Sequence, residues 1–357
     1  MKKILLLIEG LGSGGAERQL CGLAIGLKNN GYEVVVLTYR DENFYKKMLT
    51  DACVTNLHEP KLYRKWTRPF FLYKFIKKQN PDVVVSFLPS MNIAASIVRR
   101  FVEIKLIISE RNTDLVVTKK VKFLYKFIYN RADSIVPNSY SQTSFIENCF
   151  PEYKDRLRTI TNFVDSNYFT PSKDDKKKGL VLTVARITPQ KNVLAYMKAV
   201  KQIFQNYNFL RFVWVGNYSD KHYYEECITL LRDLNLEKVF TFKPATSEIV
   251  DYYHSADYFC LPSIYEGFPN VICEAMSCGL PILCSNVCDN PRIVKEEENG
   301  FLFDPTSVDN IEQAFEKSME LRDEEYTLMS YKNREKATRE MSKDSFVLAY
   351  IKIIESL

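Results

Sequence analysis

The sequence predicts an α/β protein built from two successive domains, each a parallel sheet covered by helices. The chain has 357 residues, which is too long for one hydrophobic core and suits two domains of roughly 150–180 residues. Hydrophobic residues make up 46% and charged residues 26%, as in globular proteins. Short β-branched runs alternate with amphipathic segments of helical length, a pattern typical of parallel sheets between helices.

The elements follow in order along the chain. In the first half, strands are predicted at 4–8, 33–38, 82–88, 105–109 and 133–137. Helices are predicted to open near Gly15, Thr67, Asn92 and Thr118. A charged run at 171–179 interrupts the pattern and predicts a linker. The second half predicts strands at 180–185, 209–215, 239–242, 258–261 and 282–284, and helices from 308 onward. We therefore expect domains at 1–170 and 171–343, with 344–357 as a terminal helix.

Composition argues against several classes of protein. Nine cysteines without a CxxC pair favour reduced thiols in the cytosol, and the three histidines lie away from any cysteine at zinc spacing. No apolar run approaches the roughly 18 residues of a membrane span. The apolar N-terminus is interrupted by Glu9, which predicts a buried strand and not a secretion signal.

Charge is distributed unevenly between the two halves. The first 165 residues contain 26 Lys and Arg against 16 Asp and Glu, a balance of +10, while the remainder has a balance of −5. This asymmetry predicts that the first half meets an anionic partner such as a membrane surface, a nucleic acid or a phosphorylated substrate.

A glycine-rich loop follows the first predicted strand. Gly10, Gly12 and Gly15 fit G-x-G-x-x-G, in which backbone N–H groups at a helix N-terminus approach a diphosphate. The acid that a nicotinamide enzyme needs after the second strand is only weakly matched, by Asp41. Either a ligand-facing loop or a tight turn without ligand is compatible with this pattern, and we favour a ligand.

A second motif carries more information. After the predicted strand at 258–261, Glu266 and Glu274 are spaced E-x7-E around a turn at 267–269. Asn270 is expected to cap a helix that begins near Val271 and ends at Gly279. This arrangement turns both carboxylates towards one ligand and leaves N–H groups at the helix start for phosphate oxygens. The carboxylates would accept hydrogen bonds from sugar hydroxyls.

With these motifs, the chain resembles the retaining nucleotide-sugar glycosyltransferases of family 4. The resemblance covers nearly the whole chain in the expected order, through GSGGAER (12–18), VARITPQKN (184–192), EGFPNVICEAMSCGLP (266–281) and NGFLFDP (299–305). It implies the GT-B fold, in which two Rossmann-like domains face each other across a cleft and a C-terminal helix returns to the first domain. It also implies transfer of a hexosyl or N-acetylhexosaminyl group.

The resemblance assigns roles to individual residues. Arg186 and Lys191 match the basic pair that neutralises the donor diphosphate, and Glu274 matches the carboxylate on the ribose hydroxyls. Glu266 matches the contact to the donor sugar. Further donor contacts are implied at Gly14, Gly15, Gly267, Phe268, Pro269, Asn270 and Val271. The region 243–245 would border the base through its backbone. Arg186, Lys191 and Glu266 are the catalytic candidates.

The acceptor side departs from the commoner pattern of the family. Many relatives have a histidine after the fourth strand of the first domain, whereas this chain reads Ser109, Glu110, Arg111 and Asn112. Glu110 and Arg111 are therefore candidates for acceptor binding or charge stabilisation, with a structural salt bridge as the alternative. Glu17 and Arg18, which end the first motif, are further acceptor candidates.

The reaction's main electrostatic task is to hold the departing diphosphate. The sequence contains no D-x-D pair, so we expect Arg186, Lys191 and helix N-termini to carry this charge, with no catalytic metal and no cofactor. The resemblance implies retention of anomeric configuration by front-face attack, in which a donor phosphate oxygen helps to deprotonate the acceptor hydroxyl. UDP is expected over GDP from the habit of the family.

The basic charge of the first half is concentrated in two segments. Residues 61–78, from Lys61 to Lys78, and residues 119–131, from Lys119 to Arg131, interleave cations with aromatic residues. In the second segment Val117, Val121, Leu124 and Ile128 are expected to face the core, and Lys119, Lys122 and Lys126 the solvent.

The first of these segments contains seven Lys and Arg and no acid. This composition suits anionic lipid headgroups. No nucleic-acid motif accompanies it, so no nucleic-acid partner is expected. We expect a cytoplasmic enzyme attached peripherally to the inner face of the plasma membrane, with a glycan or lipid-diphosphate-linked glycan as acceptor. Two alternatives remain at this point: an NADP-dependent oxidoreductase that uses the Gly10–Gly15 loop, and a non-catalytic GT-B-like protein that binds sugar or lipid.

Overall fold

The computed structural model of the protein describes residues 1–111, 118–173 and 179–357. The chain divides into two compact units. Unit 1 comprises Met1–Phe163 and Lys343–Leu357, and unit 2 comprises Val164–Ser342. The first crossing between the units falls at Phe163, ahead of the charged run that the sequence predicts as a linker. Residues 174–178 of that run lie outside the described residues, and its remainder belongs to unit 2.

Unit 1 contains a parallel sheet of six strands in the order β3-β2-β1-β4-β5-β6. The strands are β1 (Lys3–Leu7), β2 (Glu33–Thr38), β3 (Thr55–His58), β4 (Val83–Phe87), β5 (Lys105–Glu110) and β6 (Ser134–Pro137). The five predicted strands are confirmed within one or two residues, and β3 was missed. This edge strand is short, polar and mostly half-buried or exposed, so it lacks the apolar run that marks the others.

Helices cover both faces of this sheet. They are α1 (Gly15–Asn29), α2 (Lys46–Asp51), α3 (Arg68–Gln79), α4 (Pro89–Val98), α5 (Lys119–Tyr129) and α6 (Tyr140–Cys149). One core packs α3, α4, α5 and α6 against inward residues such as Leu5 and Leu7, and the other packs α1 against Ile4 and Leu6. Alternate strand residues thus feed opposite cores, as the two-residue period of a strand requires. Helix α4 begins three residues before the predicted Asn92.

Unit 2 repeats this architecture with strands in the order β12-β11-β10-β7-β8-β9. They are β7 (Leu180–Val184), β8 (Arg211–Val215), β9 (Phe240–Lys243), β10 (Tyr258–Leu261), β11 (Ile282–Ser285) and β12 (Gly300–Phe303). The helices are α7 (Val193–Asn206), α8 (Lys221–Asp233), α9 (Ile249–Ser255), α10 (Asn270–Ser277), α11 (Asn290–Ile293), α12 (Val308–Met319) and α13 (Asp323–Glu340). Strand β12 is not among the predicted strands, because its four residues begin with Gly300 and leave an apolar run of only three.

The last helix, α14 (Lys343–Ser356), belongs to unit 1, where it packs on α1. Val347 of α14 contacts Gly26 of α1 so closely that a Cβ at Gly26 would overlap it. Gln19 of α1 holds the first crossing, since its amide donates to the carbonyl of Phe163 at 2.8 Å and accepts from the N–H of Phe163 at 2.9 Å. The return of the terminal helix that the sequence predicts is confirmed.

In both units the sheets are parallel, so the carboxyl ends of all strands meet at one edge. Open α/β sheets bind ligands at this edge. In unit 1 the glycine loop follows β1, and Glu110 is the last residue of β5. In unit 2 Arg186 follows β7, and Glu266 follows β10. The fold therefore places each group of predicted site residues at the binding edge of its own sheet.

Candidate functional site

Arg186 lies just beyond the end of β7. The backbone on either side of it is held by the next strand, because Ala185 N–H donates to the Val215 carbonyl at 3.1 Å and Ile187 N–H to the Asn217 carbonyl at 3.0 Å. Gly216 is required here, since a Cβ would overlap the carbonyl oxygen of Ala185. The Arg186 side chain is exposed and has no hydrogen-bond or ion-pair partner among the described residues. Its guanidinium is therefore available to a ligand.

Lys191 ends a short 3-10 turn, Pro189–Lys191, at the same edge. The turn is followed by Asn192 in the left-handed region at φ 61°, a conformation that asparagine tolerates. The Asn192 amide donates to the Pro305 carbonyl at 2.7 Å, which fixes the turn against the NGFLFDP segment. The Lys191 ammonium forms an ion pair of 2.5 Å with Oε1 of Glu266. An ammonium has three donors, so Lys191 can bind a phosphate oxygen without releasing the carboxylate.

Glu266 lies on the loop after β10 and is 7% exposed. The loop is fixed on two sides. Ile264 N–H donates to the Gln190 carbonyl at 2.9 Å, and the Gln190 amide donates to the Tyr265 carbonyl at 3.0 Å. The Glu266 N–H donates to Sγ of Cys288 at 3.5 Å. Lys191 therefore holds the carboxylate, while Cys288 and the loop contacts hold the backbone that carries it.

The helix of the E-x7-E motif begins one residue earlier than predicted. Asn270 is its first residue and Pro269 occupies the capping position, so the prediction that Asn270 caps the helix is wrong. Asn270 N–H turns back to the Phe268 carbonyl at 3.0 Å, which tightens the turn and leaves no place for a side-chain cap. Gly267 and Val271 are half-buried in the same turn. The helix ends before Gly279, whose φ of +78° suits glycine.

Glu274 lies one turn into α10 and is 5% exposed. Its Oε2 accepts a hydrogen bond of 2.9 Å from the hydroxyl of Tyr253, a fully buried residue of α9. Tyr253 therefore orients the carboxylate that the resemblance assigns to the ribose. The sequence gives no signal for this contact, since Tyr253 is one of 22 tyrosines and lies 21 positions away.

A cleft of about 500 Å³ opens at the same edge, beside β8 and β9. Its lining includes Gly216, Asn217, Tyr218 and the region of Lys243 and Pro244. The ring of Tyr218 stacks on Tyr224 with 4.3 Å between ring centroids. The Asn217 side chain accepts from the Ala245 N–H at 3.0 Å, which fixes the segment that the sequence predicts to border the base.

In unit 1 the glycine loop is covered by carboxylates. A Cβ at Gly10 or Gly12 would lie 2.9 or 2.8 Å from Oε2 of Glu42. A Cβ at Gly14 would overlap the carboxylate of Glu17. A dinucleotide site needs this space for a diphosphate. The fingerprint of a nicotinamide enzyme is therefore present in the sequence, but the side chains that lie against this loop are acidic, which is unfavourable for a diphosphate.

Glu17 and its neighbour Arg18 are half-buried on the first turn of α1. Burial, followed by the charges of Glu42 and Glu9, raises the pKa of Glu17 above its usual value, although a backbone hydrogen bond opposes this. Glu9 in turn is paired with Arg40 at 2.6 Å. The glycine loop therefore lies beside a cluster of acidic side chains, whose negative charge is partly balanced by Arg40.

Glu110 and Arg111 come at the end of β5 and are 2% and 8% exposed. The Glu110 carbonyl accepts from the N–H of Asn138, which follows β6. The guanidinium of Arg111 lies under this edge and binds Ser109, Asn162 and the terminal helix. The structural salt bridge considered for Arg111 does not form, because among the described residues it has no carboxylate partner. Asn112 lies outside the described residues.

Metal-binding clusters and membrane-spanning helices are both absent from the described ranges. There, no group of three or more His, Cys, Asp or Glu side chains is arranged to hold a metal ion. Also within these ranges, no helix combines the length and apolar character that a membrane span requires.

The two basic segments pack on the same face of the unit 1 sheet, either side of α4. Six cations of residues 61–78 are exposed, namely Lys61, Arg64, Lys65, Lys74, Lys77 and Lys78. Arg68 is not part of this surface, since it is 5% exposed, stacks on Tyr39 and donates to the Leu62 carbonyl at 2.6 Å. Trp66 is 97% exposed and Phe70 is 54% exposed, whereas Phe71 packs partly against the core.

In α5 the buried face differs from the predicted one. Ile128 is buried and Val121 packs partly against the core, as predicted, whereas Leu124 is 37% exposed and Tyr125 and Tyr129 are buried instead. The two tyrosines pack with Phe150 of unit 1, which rotates the helix away from the predicted apolar stripe. Lys122 and Lys126 are exposed as predicted. Val117 lies outside the described residues, as does the side chain of Lys119.

Two models of glycosyltransferase families match successive parts of the chain. Residues 13–168 match the model of Glycosyltransferase Family 4, and residues 165–336 match that of Glycosyl transferases group 1. The chain is 25% identical over 367 residues, covering 98% of each chain, to a Campylobacter jejuni N-acetylgalactosamine-N,N'-diacetylbacillosaminyl-diphospho-undecaprenol 4-alpha-N-acetylgalactosaminyltransferase. It is 30% identical over 263 residues to an Escherichia coli UDP-Gal:alpha-D-GlcNAc-diphosphoundecaprenol alpha-1,3-galactosyltransferase, covering 67% of this chain and 66% of the relative.

Solved structures agree on the fold. The crystal structure of Anabaena HepE in complex with UDP and glucose superimposes with a TM-score of 0.86 over the full length of both chains, at 18% identity. A glycosyltransferase from Rickettsia africae also gives a TM-score of 0.86, at 16% identity, over 99% of this chain and 98% of the other. At these identities the likeness shows the fold, and the α/β GT-B architecture expected from the sequence is confirmed.

Proposed function

Because the chain belongs to family 4 of the glycosyltransferases, we propose that it is a retaining, metal-independent enzyme that moves a sugar from a UDP-sugar to a lipid-diphosphate-linked glycan. Membership of this family sets aside the oxidoreductase alternative, in agreement with the carboxylates that cover the glycine loop. It also favours an enzyme over a sugar- or lipid-binding protein without activity.

The observation that carries the proposal is the ion pair between Lys191 and Glu266. It places a cation and a carboxylate within 2.5 Å of each other at the carboxyl edge of unit 2. A nucleotide sugar needs both kinds of group, since its diphosphate requires positive charge and its hydroxyls require acceptors. Glu274, held by Tyr253, supplies a second carboxylate for the ribose. The E. coli relative is named for a UDP-sugar donor, which supports UDP.

The leaving diphosphate would be held by fixed positive charge. Arg186 is exposed and can bind two phosphate oxygens at once. It follows β7, and the backbone on either side of it is hydrogen-bonded to the chain of the neighbouring strand β8 and the residues just after it. Lys191 has two donors left after pairing with Glu266. The N-terminus of α10 adds partial positive charge through the helix dipole, although the N–H groups of Asn270 and Ile272 already donate to the Phe268 and Pro269 carbonyls. These groups stabilise the charge that develops as the bond between sugar and phosphate breaks, which supports transfer without a metal.

Retention would follow from front-face attack. In this scheme the acceptor hydroxyl approaches on the side that the diphosphate leaves, and a phosphate oxygen takes the hydroxyl proton. No protein nucleophile is needed, so Glu266 would act by binding the donor sugar. Rate then depends on positioning and on fixed charge.

The acceptor is proposed to be a glycan linked to a lipid through a diphosphate, in the synthesis of a bacterial surface polysaccharide. The C. jejuni and E. coli relatives are both named for acceptors linked by diphosphate to undecaprenol. In unit 1, Glu110, Glu17 and Arg18 are the proposed acceptor residues, since they lie at the carboxyl edge of that sheet. Carboxylates there can accept hydrogen bonds from the glycan hydroxyls.

An enzyme with a lipid-linked acceptor would work at a membrane surface, here proposed to be the cytoplasmic one, and the basic face of unit 1 suits this. The exposed cations of α3 and α5 would attract anionic lipids, each contributing on the order of 1 kcal/mol. Trp66 and Phe70 would add a part that salt does not screen, because their rings are exposed next to these cations.

Vesicle sedimentation tests the membrane proposal. Binding should be strong on anionic vesicles at low salt, weak on neutral vesicles, and largely released at high salt, since the Debye length is about 8 Å at physiological salt. Changing Lys74, Lys77, Lys78 and Lys122 to Glu should abolish sedimentation while UDP-sugar binding persists. Equal sedimentation with neutral and anionic vesicles, or none with either, would point to a soluble acceptor.

A transfer assay tests the enzyme proposal. The purified protein is incubated in EDTA with an undecaprenyl-diphosphate-linked glycan and, in turn, UDP-GalNAc, UDP-galactose, UDP-glucose and GDP-mannose, and the lipid products are weighed by mass spectrometry. We expect a gain of one sugar from a UDP-sugar. Transfer that occurs only after Mn²⁺ or Mg²⁺ is added would contradict metal independence, and transfer only from GDP-mannose would contradict the donor.

A further inference from the structure

The guanidinium of Arg111 lies in the interior of unit 1, between two aromatic rings. Its Cζ is 4.5 Å from the ring centroid of Phe87 at the end of β4 and 5.8 Å from that of Phe346 on α14. The residue is 8% exposed. All three nitrogens of its guanidinium are bound to interior partners, so the side chain is not available to an acceptor, although its backbone directly follows Glu110.

Each nitrogen of the guanidinium has a neutral partner. Nε donates to Oγ of Ser109 at 2.8 Å, one Nη to Oδ1 of Asn162 at 2.6 Å, and the other Nη to the hydroxyl of Tyr350 at 2.6 Å. Because the Tyr350 oxygen accepts from Arg111, its own proton can be donated to Ser109 Oγ, 3.1 Å away. The four side chains form a closed network in which the positive charge has no carboxylate partner among the described residues.

This network connects four separate parts of unit 1. Ser109 belongs to β5, Tyr350 to α14, Asn162 to the segment before the first crossing, and Phe87 to β4. Desolvating a guanidinium without a counter-ion is costly, and burial lowers the pKa of Arg111 below its ordinary value. A buried apolar residue would pack here without that cost, so packing alone does not account for an arginine at this position.

The network fixes the backbone on which Glu110 sits. The residues before Glu110 are hydrogen-bonded into the sheet through β5, and its own carbonyl accepts from the N–H of Asn138. The residue after it, Arg111, is anchored through its side chain. The next residue, Asn112, lies outside the described residues. The backbone that carries the Glu110 carboxylate is therefore held on both sides of the residue.

We propose that Arg111 is a positioning residue, which fixes Glu110 at the carboxyl edge of unit 1 through its bond to Tyr350 of the terminal helix. This inference rests on the proposed function, in which Glu110 contacts the acceptor. It assigns the terminal helix a part in acceptor binding that packing alone would not give it. Asn162 and Ser109 complete the anchor.

The test compares two variants of α14. Tyr350→Phe removes only the hydroxyl that accepts from Arg111 and keeps the ring. Val347→Ala is the matched control, because Val347 packs on Gly26 and lies outside the network. We expect Tyr350→Phe to lower kcat/KM for the acceptor roughly 10- to 100-fold, the scale of a misplaced contact, with UDP affinity unchanged. Val347→Ala should lower the Tm but leave acceptor kcat/KM at the wild-type value.

Hydrogen exchange provides a readout that does not require activity. Backbone amides of 105–111 should exchange faster in Tyr350→Phe than in Val347→Ala at equal loss of Tm. Wild-type exchange and wild-type acceptor kinetics in Tyr350→Phe would overturn the proposal, as would equal effects of the two variants. If the wild-type protein transfers no sugar, the proposed function fails, and the exchange comparison still decides whether Arg111 positions Glu110.

Discussion

Replacing Lys191 by methionine tests the ion pair at the centre of the donor site. The change removes one partner of a pair whose side chains are only 13% and 9% exposed, and it leaves the Glu266 carboxylate buried without its cation. Breaking a buried pair in this way costs about 3–5 kcal/mol, and the residual exposure of this pair places the expected loss near the lower end. Turnover should fall roughly 100-fold, because a donor to the leaving group is lost.

The tryptophans of the chain make the stability measurement specific for unit 2. The protein contains two, of which Trp214 is fully buried in unit 2 and Trp66 is 97% exposed in unit 1. In a Trp66→Phe background, urea unfolding followed by fluorescence therefore reports on unit 2 alone. Lys317→Met is the matched control, because its ion pair with Glu296 is exposed and should be worth less than about 1 kcal/mol.

A double-mutant cycle separates the pair from its surroundings. Lys191→Met combined with Glu266→Gln leaves no charge unpaired, so the double variant should be less destabilised than the sum of the two single variants, by about 1.5 kcal/mol or more. If Lys191→Met costs no more stability than Lys317→Met, or if the two changes are additive, the pair does not exist in solution and the account of the donor site fails.

Three further predictions concern single side chains. Glu274→Gln should weaken UDP binding by about 1.5–3 kcal/mol in calorimetry, and Tyr253→Phe should weaken it less, because it removes only the group that orients Glu274; wild-type affinity in Glu274→Gln would contradict the ribose role. Arg186→Ala should lower kcat roughly 100-fold at unchanged Tm, whereas Arg232→Ala on the exposed side of α8 should change neither. The pKa of Glu17 is raised in the folded state, so its neutral form stabilises unit 1 fully below the unfolded pKa of about 4.3, and this contribution is lost as the pH rises through the folded value. Glu17→Gln should therefore raise the Tm above the wild-type value at about pH 8 and leave it at the wild-type value at about pH 4. A variant Tm below the wild-type value at about pH 8 would contradict this.

Strands and helices that bury an apolar run could be predicted from the sequence. Val83–Phe87 is buried along its whole length, and the prediction of a strand there is confirmed. Thr55–His58 lies at a sheet edge with half-exposed polar residues, so it has no apolar signal. In α5 the sequence predicts that Leu124 is buried, but Tyr125 and Tyr129 are buried in its place because they pack edge-on against Phe150, a contact that periodicity does not contain.

The sequence motifs of the site could be predicted, but the contacts between its side chains could not. The spacing of Glu266 and Glu274 placed both carboxylates at one sheet edge, which the fold of unit 2 bears out. The ion pair of Lys191 with Glu266 joins residues 75 positions apart, and the partner of Glu274 comes from another helix. Such contacts depend on how the elements pack. The donor and acceptor roles of these residues stay predictions until they are measured.

The configuration of the new glycosidic bond distinguishes retention from inversion at the transferred sugar. The protein, in EDTA, is given a UDP-α-sugar and the lipid-linked acceptor, and the anomeric proton of the product is read by NMR as soon as product forms. The account predicts an α-linked sugar, because a site built from Arg186, Lys191 and Glu266 holds the diphosphate on the face that the acceptor attacks. A β-linked product, or an α-linked product that forms only with added metal, would contradict it.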